Sequence, residues 1–438
     1  MARELTRGDF LKAGAKMALA CAGAAVVKTS FSTLAFGAVG SVPEILVVIF
    51  LRGGCDGLSF VPPISGDDRG FYEEARPTLK IPTTGDRKAI PLDGVFGLHP
   101  ALSPLYEHFQ DRKLAIVHAA GLTSDSRSHF DAQAYMELGT PDNKGTTTGW
   151  IARHLISSGD SPRSKGSFPA VSVGPYEPLS FLSFGDAVSL GQPGDLNIGG
   201  PPRFQARQRA ILEQIYSGPS WLHQAGSEAL SAIDKMDKLN GGNFRPSSKE
   251  YPKSELGNRL KVLAQLIQMP LGLKVAALDM GGWDTHRYQG NGSEGRLASL
   301  MDQLAQGIST FYADLSASPG SITKRLTIVV MSEFGRRVKE NANRGTDHGH
   351  GNIMLVLGDS VNGGRVFGHW DGLMTQSLYD RADLPVTTDY RQVLSEILVR
   401  RFKNQKLAFV FPGLGAYHPL GIVQGTEGGL KPFLNQAH

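Results

Sequence analysis

The chain has 438 residues, of which 41% are hydrophobic and 20% charged, and its formal net charge is only +4. This length fits one large globular domain or two ordinary ones. The small net charge, with no cluster of Lys and Arg on one predicted face, argues against a nucleic-acid-binding protein. The 53 glycines fall largely in loops after predicted strands, which suits a site built from loops.

The first 40 residues resemble an export signal. Four basic residues precede the short apolar run Met17–Val27, and small residues near Gly37 suit cleavage. The segment Thr6–Lys12 resembles a twin-arginine signal, with Gly8 where the second arginine would stand. The apolar run is too short for a transmembrane helix. We therefore expect an exported, periplasmic or extracellular protein that contacts the membrane only through this segment, with lipidation at Cys21 as a weaker alternative.

Because Cys21 lies inside the signal-like segment, Cys55 is the only cysteine of the expected mature chain. An intramolecular disulfide is then impossible. We interpret Cys55 as a small buried residue beside a strand end, with a reactive thiol, or a redox role near iron, as the weaker alternatives.

Apolar, β-branched runs alternate along the chain with segments of helical periodicity. The predicted strands are Glu44–Phe50, Leu114–His118, Ala170–Val173, Leu179–Phe184, Leu273–Leu278, Leu326–Met331 and Ile353–Leu357. The predicted helices are Ser128–Leu138, Phe204–Tyr216, Trp221–Leu239, Leu256–Ile267, Leu297–Leu315 and Asp389–Phe402. This alternation predicts an α/β fold, with a mostly parallel central sheet between layers of helices. We interpret residues 41–438 as a single domain and the helical block 202–269 as an insertion or lid.

Three polar clusters lie at or near the ends of predicted strands, and each contains side chains that bind divalent metals. They are residues 55–57, 281–286 and 345–351. The carboxyl ends of parallel strands meet at one edge of a sheet, where open α/β folds place their chemistry. Mixed His and carboxylate ligands suit zinc, manganese or iron, whereas carboxylates alone suit calcium or magnesium. Asp and His beside Gly are also ordinary turn residues, but three such clusters together favour a metal site.

Within these clusters, alternate residues point to the same side of an extended segment. Asp284 and His286 therefore converge on one ion, as do His348 and His350, while Asp347 turns toward a second ion. Ligands from three separate segments fit a site for two divalent ions. The candidate ligands are Asp56, Asp284, His286, Glu333, Asp347, His348 and His350, with Glu333 just past the strand Leu326–Met331.

The segment 123–130 supplies candidates for a nucleophile, because it carries four hydroxyls at the start of a predicted helix. A helix N-terminus stabilises an alkoxide or a phosphate ester, and a metal lowers the pKa of a hydroxyl. We choose Ser128 over the other three, with plain helix capping as the alternative. Arg336 or Arg337 would hold a tetrahedral anion, with Arg52 and Arg127 as further candidates. An alternative with equal support is that these charged side chains are simply solvated or paired with one another.

Five motifs give the chain a family resemblance: Leu51–Gly57, Arg127–Phe130, Gly281–His286, Ser332–Arg336 and Gly345–Gly349. They resemble a family of exported bacterial proteins known as domain of unknown function 1501 (DUF1501). That family looks like a branch of the alkaline phosphatase and sulfatase superfamily.

The resemblance implies an αβα sandwich, two divalent metals and a Ser, Thr or formylglycine nucleophile. Asp56 would bind one metal, and Asp284 and His286 would bind the other. The Asp-His pair that the superfamily carries late in the chain would be Asp347 and His348, with His350 as a further ligand. Ser128 would be the nucleophile, and Arg127, His129 and Arg336 are the other catalytic candidates. The superfamily usually spaces the middle Asp and His further apart, which makes Asp279 an alternative to Asp284. Its late Asp-His pair often follows a strand directly, so either Glu333 takes that carboxylate role or the loop to Asp347 is lengthened. No Cys-x-Pro-x-Arg motif supports a formylglycine enzyme.

These features together predict an exported hydrolase of phosphate or sulfate esters that depends on two divalent ions of zinc, manganese, calcium or magnesium. The substrate would be an anionic ester on a small molecule or a polymer, with no nucleic-acid partner. The alternative is a non-catalytic exported protein that keeps the fold for metal binding or surface assembly.

Overall fold

The computed structural model describes residues 43–158, 168–191, 198–220 and 249–430, apart from residues 270, 319 and 321, together with scattered residues between 222 and 234. The export-like segment of residues 1–40 and most of the predicted helix Trp221–Leu239 lie outside the described residues. Among the helices that are described, none combines the length and hydropathy that a membrane span requires.

Nine strands of the described chain form one central sheet, and two short strands form a separate antiparallel pair. In chain order the strands are β1 (Ile45–Leu51), β2 (Ile90–Pro91), β3 (Gly97–Leu98), β4 (Leu114–Gly121), β5 (Ala170–Val173), β6 (Ala187–Leu190), β7 (Val275–Met280), β8 (Leu326–Met331), β9 (Asn352–Leu357), β10 (Arg365–Phe367) and β11 (Thr388–Asp389). The separate pair is β2 with β3.

The order of the central sheet is β10-β4-β9-β8-β1-β7-β5-β6, with β11 also paired to β4. Every pairing is parallel except those of β9, which runs against both β4 and β8. The carboxyl ends of β1, β7 and β8 therefore meet at one edge. Because β9 is reversed, the residues just before it arrive at that same edge, which brings the polar segments after β8 beside those after β1 and β7.

The sequence of β1 shows why the sheet lies in the middle of the molecule. All seven of its residues are buried. Ile45, Val47 and Ile49 pack into the core on one face, and Leu46, Val48 and Phe50 into the core on the other. Alternate residues of a strand point to opposite faces, so a continuous apolar run requires cover on both sides. Full burial of each such side chain contributes about 1.5 to 3 kcal/mol.

Helices provide that cover on both faces. In chain order they are α1 (Gly57–Phe60), α2 (Gly66–Ala75), α3 (Ser103–Gln110), α4 (His129–Leu138), α5 (Trp150–Ser157), α6 (Pro202–Ile215), α7 (Glu255–Gln268), α8 (Arg296–Ser316), α9 (Tyr390–Arg400) and α10 (Leu407–Val410). Leucines of α7 and α8 pack on one face of the sheet, and apolar residues of α4, α5 and α9 on the other. The predicted α/β sandwich is confirmed, and α7, which we had included in the insertion, is part of its main core.

One predicted strand, Leu179–Phe184, is wrong. Leu179–Phe181 forms a 3-10 turn, and the strand lies later, at β6. Phe181 and Phe184 are buried whereas Leu179 is exposed, a spacing of three that matches a 3-10 turn and not the alternation of a strand. Ser183, with φ of 66°, interrupts any extended backbone there.

Candidate metal centre

Four segments meet at the carboxyl edge of the sheet: the loop after β1, the start of α4, the loop after β7 and the long segment between β8 and β9. Glycines let these backbones approach closely. Gly53 has φ of 121°, and a Cβ there would lie 2.5 Å from the Asp284 nitrogen. A Cβ on Gly345 would lie 2.3 Å from the carbonyl carbon of His286. Any larger residue at either position would push the loops apart.

Three imidazoles surround one carboxylate at this edge. The Nε2 atoms of His129, His286 and His348 lie 3.5, 3.0 and 3.3 Å from Asp284 Oδ1. Those of His286 and His348 are 2.9 Å apart. The ligand atoms of His129, Asp284 and His348 all lie within 4.8 Å of one another. These three residues are close enough to share a single ion. Together with His286, which contacts Asp284 and His348, we call them the histidine cluster.

The opposite nitrogen of each ring decides which atoms of the cluster carry protons. Each Nδ1 faces an acceptor oxygen: Glu333 Oε1 at 2.8 Å from His129, Asp347 Oδ1 at 3.0 Å from His286, and the Arg127 carbonyl at 2.8 Å from His348. Because carboxylates and carbonyls accept hydrogen bonds, each Nδ1 donates, and in a neutral ring the Nε2 then carries a lone pair. Among the described side chains, His129 Nε2 is buried without a hydrogen-bond partner. Three Nε2 lone pairs thus face Asp284 Oδ1, which accepts one hydrogen bond from Arg336 and keeps a further lone pair. A cation among these four atoms would be bound by all of them.

The charged groups around the cluster also shift the pKa values of its members. Partial burial raises the pKa of Asp284, but the hydrogen bond and charge of Arg336 outweigh it and lower that pKa to about 2. Burial, and next the charge of Arg336, lower the pKa of His348. The hydrogen bond to Glu333 raises the pKa of His129. Asp284 is therefore ionised and His348 neutral near pH 7, as metal ligands must be, while a proton competes for His129.

Glu333 was predicted as a ligand, but it lies behind His129. Its side chain is fully buried, and Oε1 accepts hydrogen bonds from the Gly53 amide at 2.8 Å, Gln133 Nε2 at 2.7 Å and His129 Nδ1 at 2.8 Å. Arg52 Nη1 lies 3.3 Å from Gln133 Oε1, so it turns the amide nitrogen toward Glu333. Such partners orient the ring of a metal ligand.

His129 had been predicted as a catalytic residue, and its place in the cluster, like the part of Gln133, was missed at the sequence level. A signal was present, because the two residues are four apart and share one face of α4.

His286 and Asp347 form a similar pair, in which Asn341 Nδ2 donates to Asp347 Oδ1 at 3.0 Å. Asp347 therefore orients His286, although we predicted it to bind a second ion.

Asp56 does not reach the cluster. Its Oδ2 accepts hydrogen bonds from Arg76 Nη1, Ser59 Oγ and Gln289 Nε2, each at 2.7 Å, and its Oδ1 accepts one from Arg76 Nη2 at 2.9 Å. Asp56 and Arg76 are both fully buried. The Arg76 guanidinium thus contacts both oxygens of this carboxylate and neutralises its charge in a fully buried position. We therefore remove Asp56 from the ligand set and interpret it as half of a structural ion pair.

Two other predicted metal residues also lie apart from the cluster. His350 stacks on Tyr379, with ring centroids 4.3 Å apart, and burial lowers its pKa. Asp279, the alternative to Asp284, pairs with Arg52 at 2.9 Å. The donors that converge therefore come from the start of α4, the loop after β7 and the segment before β9.

Of the predicted anion-binding arginines, Arg336, Arg127 and Arg52 are engaged. Arg337 is half-exposed, and its Nε lies 3.9 Å from Asp383 Oδ1. Arg336 is buried, and its guanidinium donates to Asp284 Oδ1 at 2.7 Å and to four backbone oxygens, those of Gly53, Gly54, Trp283 and Thr346. Arg127 donates to Asp383 Oδ2 at 2.6 Å and lies 3.3 Å from Asp380 Oδ2. Arg336 therefore holds the loops together and orients Asp284, which excludes it from binding a substrate.

Ser128 is the N-cap of α4. Its Oγ accepts from the Asp131 amide at 3.5 Å, and the residue is exposed. The predicted capping is thus confirmed, and it leaves the hydroxyl in contact with solvent, one residue before His129.

Residues 234–407 match the family model described as "Protein of unknown function (DUF1501)", which confirms the resemblance over the part of the chain that contains Asp284, His286 and His348. No curated protein matches the chain. Among solved structures, the C-terminal periplasmic domain of EcEptC from Escherichia coli is 11% identical, with a TM-score of 0.31, and the match covers 73% of each chain. A mutant of TAB5 alkaline phosphatase with Mg bound is 9% identical, with a TM-score of 0.28, and the match covers 72% of this chain and 90% of that one. Likenesses this distant carry no argument about activity, so the function has to be argued from the site.

Proposed function

We propose that this protein is an exported hydrolase of phosphate or sulfate esters that depends on one divalent metal ion, held by His129, Asp284, His286 and His348. The observation that carries the proposal is the set of three Nε2 atoms around Asp284 Oδ1, an oxygen that accepts one hydrogen bond from Arg336 and keeps a lone pair for an ion. This donor set suits zinc, manganese or iron. The two-ion site expected from the resemblance would need Asp56 and Asp347, which are engaged elsewhere.

The residues around the cluster have separable tasks in this proposal. An ion held there would stabilise negative charge and lower the pKa of a nearby hydroxyl. Glu333 and Asp347 keep two of the rings in position, and Arg336 fixes Asp284. Side-chain exposures of 47% for Asp284 and 38% for His286 leave the cluster open to a substrate.

We place the nucleophile on Ser128. It begins α4 directly before His129, so the free amide groups of the first helical turn are available to stabilise an anion beside it. Its hydroxyl accepts only a long capping bond, from the Asp131 amide at 3.5 Å, which costs little to give up. Of the other hydroxyls of the loop, Ser124 is less suitable, since it is buried and donates to Asp142.

Metal analysis and ester turnover test the proposal together. We expect purified protein to contain about one divalent ion per chain, and His348→Ala or Asp284→Asn to lose it. Ser128→Ala should keep the ion but lower turnover of p-nitrophenyl phosphate or p-nitrophenyl sulfate by at least about 100-fold. Thr123→Ala, which removes an exposed hydroxyl from the same loop, is the control. Absence of metal would refute the site, and full activity of Ser128→Ala would refute the nucleophile.

A non-catalytic metal site is the second candidate, and the number of donors favours it. Four protein ligands fill the tetrahedral shell of a structural zinc, whereas catalytic zinc sites keep a position open. The exposure of Asp284 and His286 favours the catalytic alternative, because structural sites are closed. A stoichiometric ion with no turnover of any ester would decide for the structural role.

A further inference from the structure

The three rings of the histidine cluster are held at Nδ1 by acceptors of two kinds. Carboxylates hold the rings of His129 and His286, whereas the Nδ1 of His348 faces a main-chain oxygen, the Arg127 carbonyl, at 2.8 Å. That carbonyl belongs to the segment 122–128, the loop between β4 and α4. Whatever fixes this loop therefore also fixes the ring of His348.

The side chain of Arg127 ties this loop to the segment 379–384, a few residues before β11. Its Nη2 donates to Asp383 Oδ2 at 2.6 Å and lies 3.3 Å from Asp380 Oδ2. The side chain of Asp380 is 60% exposed, whereas that of Asp383 is fully buried. Because exposed ion pairs contribute little, the contact with Asp383 is the stronger anchor for Arg127.

The segment that carries Asp383 is itself fixed at the entrance to β9. The Gly351 amide donates to the Leu384 carbonyl at 2.7 Å, and the Leu384 side chain is buried. Asp383 Oδ1 lies 3.9 Å from Arg337 Nε and is buried without a hydrogen-bond partner among the described residues. Asp383 therefore presents its other oxygen, Oδ2, to Arg127 from a fixed position.

We propose that Asp383 is a positioning residue of the metal centre, which acts through Arg127 on His348. The ion pair holds the Arg127 main chain where its carbonyl accepts the Nδ1 proton of His348. That proton has to lie on Nδ1 for Nε2 to offer a lone pair to an ion. The inference rests on the metal site of the proposed function, but it concerns a ring that can be observed without metal.

Competition with a chelator tests the effect on zinc binding. We expect Asp383→Ala to lower zinc affinity about 10-fold, as is typical when a partner that orients a ligand is lost. Arg127→Met breaks the same pair from the other side, so the double variant should lose no more affinity than either single variant. The double variant also leaves no uncompensated charge buried, which protects its folding. Asp380→Ala is the matched control, because it removes only the exposed contact of the same guanidinium, and its zinc affinity should equal that of the parent.

Nitrogen NMR of the imidazoles in metal-free protein tests the ring directly, at a pH where His348 is neutral. In the parent and in Asp380→Ala, we expect the proton of His348 to lie on Nδ1. In Asp383→Ala it should be divided between Nδ1 and Nε2, because the hydrogen bond at one nitrogen decides which of the two is protonated. The signals that disappear in His348→Gln identify the ring.

A shift of the proton together with weaker zinc binding in Asp383→Ala, with neither change in Asp380→Ala, supports the inference. Unchanged protonation of the ring or unchanged zinc affinity in Asp383→Ala overturns it, as do equal changes in the control. If the parent binds no divalent ion, the proposed metal site fails, whereas the NMR measurement still decides whether Asp383 positions His348.

Discussion

Asp56→Asn distinguishes a structural carboxylate from a metal ligand. The substitution removes the charge that neutralises Arg76, while the guanidinium stays buried. Breaking a buried ion pair by removing one partner costs about 3 to 5 kcal/mol. For a chain of this length the entropy of unfolding is roughly 0.9 kcal/mol per kelvin. We therefore expect the melting temperature to fall by roughly 3 to 6 °C.

Thermal unfolding with and without added zinc separates the two roles. In the parent and in Asp56→Asn, zinc should raise the melting temperature by similar amounts, because Asp56 is not a ligand. In Asp284→Asn this increase should disappear. Asp111→Asn is the control for loss of an exposed carboxylate paired with Lys113, at a cost of less than about 1 kcal/mol. If Asp56→Asn lost the response to zinc while its stability hardly changed, Asp56 would be a ligand and our interpretation would be wrong.

Two further predictions concern groups that the sequence did not single out for a role. Gln133→Leu should lower metal affinity by about 10- to 100-fold in competition with a chelator, because Glu333 loses the donor that holds it against His129; an unchanged affinity would remove Gln133 from the site. Burial lowers the pKa of His118 to about 4, so the unfolded chain takes up a proton near pH 6.5 that the folded chain resists, and stability is lost as the pH falls from 6.5 toward 4. Between pH 7 and pH 5 this effect lowers the free energy of unfolding by about 2 kcal/mol. In denaturant titrations at the two pH values, His118→Gln should therefore lose about 2 kcal/mol less than the parent.

The hydrophobic pattern of the sequence determines where the strands lie and which edge of the sheet carries the site. Both were therefore predictable. The apolar runs that became β1, β7, β8 and β9 were identified to within a few residues. Their polar ends meet because parallel strands place their carboxyl ends together. The reversal of β9 could not be predicted from the pattern, yet it brings His348 to the edge from the opposite direction.

The ligand set was less predictable, because a carboxylate and its partner are often far apart in the chain. Nothing around Asp56 announces that Arg76, twenty residues later, returns to neutralise it. Similarly, Glu333 lies 204 residues from His129. Residue type and strand-end position identify candidates, whereas the choice between ligand and supporting residue depends on which donors occupy each oxygen.

Arg336 links the fold to the site, because the same guanidinium joins the loops after β1, β7 and β8. Its contacts with Gly53, Trp283 and Thr346 hold these loops against one another, and its contact with Asp284 lowers the pKa of that carboxyl group. A buried cation with all its donors satisfied forms only once the loops have docked. Docking of the loops therefore also fixes the position of the Asp284 carboxylate against Arg336, so the metal centre assembles together with the edge of the sheet that carries it.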